Sequence, residues 1–168
     1  MLFNVADLLK EPHGSFREHA IDDDVRIDGA HRHLQGAVRF DRTRYGILVR
    51  ATLAGEGDAQ CSRCLTPVTY PIRVEFEEQY VPTVDLGTGA PVSSSTDDEA
   101  YRIDARHMID LSEPIRQYWA MAEPMAPLCR PDCAGICAQC GHPAGAGHAC
   151  GADATDDRWS KLRNLKLG

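Results

Sequence analysis

At 168 residues the chain has room for one ordinary core with a small satellite module, and too little for two full domains. Hydrophobic residues at 43% and charged residues at 26% exclude a disordered chain, and no apolar run is long enough to cross a bilayer. A formal net charge of −7 excludes a surface that is basic throughout, so nucleic acid could be met only by a local basic face.

The opening stretch "MLFNVADLLKEPHGS" carries Asp7 and Glu11, has no basic start, and breaks its apolar run too early for a secretory signal. It predicts a cytoplasmic, reducing setting. Phe3, Val5, Leu8 and Leu9 are spaced for a short helix that stops at "EPHGS". From Val25 to Tyr80 the pattern changes to strands. "LQGAVRF" and "YGILVRATL" read as a hairpin joined by "DRTR", and "AGEGDA" supplies turn residues before Cys61. Between residues 30 and 50 five arginines, Arg32, Arg39, Arg42, Arg44 and Arg50, face one acid, Asp41. They read either as a phosphate-binding face or as the solvated side of a hairpin.

The clearest strand is "VTYPIRVEFEEQY", where Val68, Tyr70, Ile72, Val74, Phe76 and Tyr80 alternate with polar residues, as a half-buried antiparallel strand requires. Pro71 cannot donate to a ladder, so the strand is at an edge there or bulged. Successive strands without intervening helices predict an α+β fold built on an antiparallel meander or partly closed barrel with a few short helices. Residues 82–99, rich in Gly, Pro, Ser, Thr and acid, read as a mobile loop. A helix follows, with Asp110 and Glu113 placed for a capping box and Leu111, Ile115, Tyr118, Trp119 and Ala122 as its apolar stripe. Pro124 and Pro127 end it. The expected organisation is a core domain over 1–124, a cysteine module over 125–152 and a C-terminal amphipathic helix over 153–168.

Seven cysteines in a reducing setting point to metal or redox chemistry rather than disulfides. "CRPDCAGICAQCGHPAGAGHACG" contains one large aliphatic residue, Ile136, so a bound metal would supply what a core cannot. Cys137-Ala-Gln-Cys140-Gly141 has the form of a zinc knuckle, and zinc takes four ligands in a tetrahedron. Four of Cys129, Cys133, Cys137, Cys140 and Cys150 are expected to hold one zinc ion, with His142 and His148 as substitutes. Thiols in such excess describe a closed structural site rather than a catalytic one. Cys61-Ser-Arg-Cys64 is a weaker signal with three readings: a redox pair, half of a metal site, or two small buried side chains. As metal ligands, Cys61 and Cys64 could complete a tetrahedron with Cys137 and Cys140.

"CSRCL" followed by Pro67 and a long alternating strand, "IDLSEPIRQ", "PLCRPDCAGICAQCG" and the terminal "DDRWSKLRNLK" together resemble the YceD-like large ribosomal RNA subunit accumulation proteins, in order from about Leu34 to Lys166. The resemblance implies a factor needed for accumulation of large-subunit ribosomal RNA, with no enzymatic activity. It also implies an association with a small zinc-ribbon protein of the large ribosomal subunit. The family's C-x-R-C-L element falls on Cys61, Arg63, Cys64 and Leu65, and its tail motif on Asp156, Arg158, Leu162 and Leu165. Asp157 stands where a proline is common. The cluster ends in Cys150 alone, where members with this cluster often have Cys-x-Cys.

Partner contacts are therefore expected at Cys61, Arg63, Cys64 and Leu65, at Arg32, Arg39, Arg42 and Arg44, and in the tail at Arg158, Trp159, Lys161, Leu162, Arg163, Leu165 and Lys166. The expected partners are large-subunit ribosomal RNA or its precursor and the zinc-ribbon ribosomal protein, with no membrane and no small-molecule substrate. A zinc-stabilised adaptor unrelated to ribosomes and a thiol- or metal-dependent enzyme are the alternatives.

Overall fold

The computed structural model describes residues 1–85, 87–91, 100–145, 147–148 and 150. The elements run β1 (Leu2–Asn4), α1 (Ala6–Lys10), β2 (Phe16–Ile27), β3 (Ala30–Arg42), β4 (Ile47–Gln60), β5 (Pro67–Pro82), β6 (Tyr101–Ile103), β7 (Met108–Asp110) and α2 (Ser112–Ala122). The chain divides into two compact units. One comprises Met1–Ala59 with Thr69–Met125, and the other Gln60–Val68 with the chain from Ala126 onward. The second unit thus draws on the β4–β5 connection, which the sequence places wholly within the core domain.

In the first unit five strands form one sheet in the order β2-β3-β4-β5-β6, and β1 pairs with β7 in a separate two-stranded sheet. The β2–β3 and β3–β4 pairs are antiparallel. Asp58 meets Thr69 and Arg50 meets Glu77, so β5 runs back along β4. The expected meander is present. The expected partial barrel is not: β2 and β6 remain the two edges of an open sheet. The last strand, β6, joins parallel to β5 over Tyr80–Pro82 alone, too short a pairing to carry the sheet around. Helices cover the apolar face instead, and Leu8, Leu9, Ile115 and Trp119 share one core with Val38, Phe40, Val49, Leu53, Val74 and Phe76. Each such side chain removed from water contributes roughly 1.5–3 kcal/mol.

The pattern of β5 is that of its sequence. Ile72, Val74, Phe76 and Tyr80 are buried while Arg73, Glu75 and Glu77 are exposed. Glu78 falls on the inward phase and is half-buried, with its carboxylate accepting the Tyr118 hydroxyl at 2.8 Å. The Tyr80 hydroxyl donates to the Asp110 carbonyl at 3.0 Å, satisfying a buried polar group. Since β6 reaches only Tyr80–Pro82, Pro71 faces no outer strand among the described residues. At the start of α2 the capping box does not form. Asp110 accepts the Ser112 amide at 2.9 Å, while Glu113 turns to Arg116 at 2.7 Å and Gln117 at 2.8 Å.

Candidate metal centres

Two turns of one design organise the second unit. In the first, the Cys61 amide donates to the Thr66 carbonyl at 2.8 Å and the Leu65 amide donates to the Cys61 carbonyl at 2.9 Å. Leu65 takes a φ of 61° to close it. The backbone amides of Arg63 and Cys64 are aimed at the Cys61 sulfur. In the second turn the Cys137 amide donates to the His142 carbonyl at 2.8 Å, and the Gly141 amide to the Cys137 carbonyl at 2.9 Å. Gly141 has a φ of 72°, and the amides of Gln139 and Cys140 are aimed at the Cys137 sulfur. Each Cys-x-x-Cys thus turns both thiols to one side while its own amides stabilise negative charge on the first sulfur.

Each turn meets a second pair of donors. Cys61, Cys64, Cys129 and Cys133 place their sulfurs within 4.8 Å of one another, and so do the donor atoms of Cys137, Cys140, His148 and Cys150. Both groups could hold a metal ion. A tetrahedral site with metal–sulfur bonds of about 2.3 Å has sulfur–sulfur edges of about 3.8 Å. The Cys61–Cys133 and Cys64–Cys129 edges are 3.8 and 3.6 Å. With one imidazole the corresponding sulfur–nitrogen edge is about 3.6 Å, and Cys140 Sγ lies 3.4 Å from His148 Nε2. The donor sets fit a divalent ion in size and in chemistry.

The electrostatics of the thiols carry the same message. Backbone amides, that of Cys129 foremost, draw the Cys61 thiol down to about 6, and the Thr66 hydroxyl lowers Cys64. Cys129, beside Cys64 and Cys133, is pushed up to about 12. In the other group the Cys140 and Gln139 amides bring Cys137 to about 6, and Cys140 and Cys137 push Cys150 up to about 11. Neighbouring thiolates repel one another, and a cation between them takes up their charge.

The two groups differ in enclosure. Cys61, Cys64 and Cys133 are buried at 0%, 9% and 5% exposure, with Val68 and Leu128 packed against them, while Cys129 is exposed. The Arg63 guanidinium donates to the Cys133 carbonyl at 2.9 Å, and Gly135 lies under Arg63, its missing Cβ 3.3 Å from the Arg63 carbonyl. In the other group Cys140 and His148 are exposed and Cys137 and Cys150 half-buried.

The five thiols of which four are expected to hold one ion therefore do not gather in one place. Cys129 and Cys133 join Cys61 and Cys64, while Cys137, Cys140 and Cys150 join His148. Cys61 and Cys64 do meet a distant cysteine pair, but it is Cys129 and Cys133 rather than Cys137 and Cys140. The physical reason is reach: the knuckle at Cys137 finds its remaining donors locally, which frees the upstream pair for the β4–β5 turn. His142 is not a donor to either group. Its Nδ1 lies 3.0 Å from the Cys140 carbonyl.

The arginines of residues 30–50 are largely engaged. Arg32 pairs with Asp58 at 2.5 Å, Arg39 with Asp41 at 2.9 Å, and Arg50 bridges Asp41 at 2.7 Å and Glu77 at 2.5 Å. Arg42 donates to the carbonyls of Leu9, Thr43 and Gly46. Arg44 is exposed and lies over the Tyr45 ring at 5.9 Å. Leu65 is 56% exposed. Arg158, Trp159, Lys161, Leu162, Arg163, Leu165 and Lys166 lie outside the described residues.

Residues 49–166 match the profile of the family described as "Large ribosomal RNA subunit accumulation protein YceD". Uncharacterized proteins of Mycobacterium bovis and Mycobacterium tuberculosis are each 33% identical over 125 residues, covering 74% of this chain and 58% of theirs. One from Mycobacterium leprae is 27% identical over 128 residues, covering 76% of this chain and 57% of its own. The chain thus spans somewhat more than half the length of the curated relatives it matches. No solved structure matches it significantly.

Proposed function

This chain belongs to the YceD family, and on that premise we propose that it is a non-enzymatic, cytoplasmic factor that supports accumulation of large-subunit ribosomal RNA. It does so by holding a large-subunit ribosomal protein or the precursor RNA. The observation that carries the reading is the extent of the family match, which runs from β4 through both candidate metal centres.

Zinc is the metal assigned to the four-cysteine centre. Thiolates suit it, its preferred tetrahedron matches the sulfur edges, and it brings no redox chemistry of its own. Four protein ligands leave no open position for substrate or water, which is the arrangement of a structural ion. Its task is to tie the β4–β5 turn to the segment around Cys129, where the sequence provides almost no apolar packing.

Between the two classes of partner, the ion pairing of Arg32, Arg39 and Arg50 favours a protein. A phosphate backbone would have to displace carboxylates already in place. Glu18 and Asp23 on β2 and Glu56 on β4 are exposed and suit a basic partner such as a ribosomal protein. The test is depletion of the protein in its source organism, followed by quantification of large- and small-subunit ribosomal RNA. A selective fall in the large-subunit species is expected, restored by the intact gene. An unchanged ratio overturns the reading, and recovery of partners unrelated to ribosomes by crosslinking would favour the adaptor in its place.

A further inference from the structure

The two donor groups share a local design, yet they are built into the chain differently. Cys64 and Cys129 are 65 positions apart. Releasing an ion from their group means separating two distant segments, with three buried cysteines, Cys61, Cys64 and Cys133, and the Val68 and Leu128 side chains packed together. Cys140 and His148 are eight positions apart. Their group closes on a single local loop, held by the Ile136–Pro143 bridge and the Ala144 amide donating to the Gly135 carbonyl at 2.7 Å. Opening that loop removes no ligand of the four-cysteine group.

We propose that Cys137, Cys140, His148 and Cys150 form a second metal centre that takes its own thiophilic divalent cation and exchanges it with solution while the ion of the four-cysteine centre stays in place. Three observations carry this. The Cys137 turn repeats, hydrogen bond for hydrogen bond, the turn at Cys61, so two donors are already directed to one point. His148 and Cys150 bring the other two donors within the span of one ion. Cys140 and His148 are both exposed and open to an incoming chelator or competing thiol, whereas at the other centre Cys129 alone is exposed and Cys61, Cys64 and Cys133 are buried.

The local loop also sets the consequence of release. The ligands of the second ion all lie between Cys137 and Cys150, so its loss unties that segment without removing a ligand of the four-cysteine centre. Its ligand set, three thiolates and an imidazole, suits zinc.

The inference rests on the reading of the four-cysteine centre as a zinc site, and the experiment separates the two. The full chain, purified with zinc, is weighed by native mass spectrometry and then challenged with excess EDTA, with zinc release followed in time. Two ions per chain are expected, one lost in a fast phase and one in a slow phase. Cys140→Ser and His148→Ala each lose one ion and the fast phase, and retain the slow one. Cys61→Ser loses the slow ion, and if that variant fails to fold, the Cys140 and His148 variants decide the matter alone. One ion per chain, unaffected by Cys140→Ser and His148→Ala, overturns the second centre and leaves the first standing. Release of two ions in a single phase overturns the unequal exchange, and a chain that binds no zinc overturns both readings.

Discussion

Leu65 and Gly141 occupy the same place in two copies of one turn. Each donates its amide at 2.9 Å to the carbonyl of the first cysteine, and each has a positive φ, 61° and 72°. Only glycine enters that region without cost. A leucine there is strained by about 1–2 kcal/mol, partly offset because glycine loses about 0.5–1 kcal/mol more entropy on folding. Leu65→Gly should therefore raise stability by roughly 0.5–1 kcal/mol and Gly141→Leu lower it by a similar amount. Thermal unfolding of the zinc-loaded chain measures both. A Leu65→Gly variant that unfolds earlier than the parent would show that the side chain is held by packing, despite its 56% exposure.

A second glycine is set by its neighbour across the sheet. A Cβ on Gly36 would sit 2.1 Å from the Thr52 carbonyl oxygen, a backbone atom with nowhere to go. Gly36→Ala should cost about 2–3 kcal/mol, in the range of overpacked positions. Urea unfolding reads this out. An unchanged midpoint would mean that β3 and β4 do not approach as closely as the Gly36–Leu53 register places them.

Arg50 offers a test of what the arginines do. Its guanidinium bridges Asp41 and Glu77 on the sheet surface, and exposed pairs of this kind contribute about 0.2–1 kcal/mol each. Arg50→Ala should lower the unfolding midpoint slightly and leave co-sedimentation with large-subunit precursors unchanged at all salt concentrations. A steep loss of co-sedimentation, with a shallower salt dependence than the parent, would instead make Arg50 a phosphate contact.

His33 on β3 faces Asp22 and Asp24 on β2, each at 2.9 Å, with Gln35 of its own strand alongside. The Asp24 hydrogen bond, aided by the charge of Asp22, holds its imidazole above the ordinary value of 6.5. Because the folded value is the higher one, the stabilisation is fully present below pH 6.5. It fades as pH rises through the folded value. NMR titration of the His33 ring should give a value above 6.5, returned toward it by Asp24→Asn. A ring that titrates at 6.5 in both proteins would refute the pairing.

Legibility of the fold followed chemistry and exposure. β5 could be read from its period of two because one face is buried and the other wet along most of its length. β2 was hidden before Val25 because an edge strand buries little. Only Ile21, Val25 and Ile27 of its twelve residues are covered, and although all three lie on one face, Asp23 interrupts the alternation between them. A signal was nevertheless present, since Asp28 and Gly29 both take positive φ, 47° and 88°, in the Asp-Gly hairpin turn that joins β2 to β3.

Barrel closure turns on which element covers the apolar face, and here α1 and α2 do so while β6, three residues long, is too short to extend the sheet around it. The knuckle at Cys137 was plain from its spacing. Its partners were not, because spacing defines a local turn but leaves open which distant thiol the fold carries to it. Pairing Cys61 and Cys64 with Cys129 and Cys133 depends on a contact across 65 positions, and His148 was overshadowed by an apparent surplus of sulfur.

Everything proposed for the second unit depends on Cys61, Cys64, Cys129 and Cys133 sharing one ion. Replacing zinc with cadmium-113 and recording proton–cadmium correlation spectra of the full chain tests this directly. One cadmium resonance coupled to the β protons of those four cysteines is the predicted result. Coupling of the Cys61 and Cys64 protons to the same cadmium as those of Cys137 and Cys140, or to no cadmium, would contradict it.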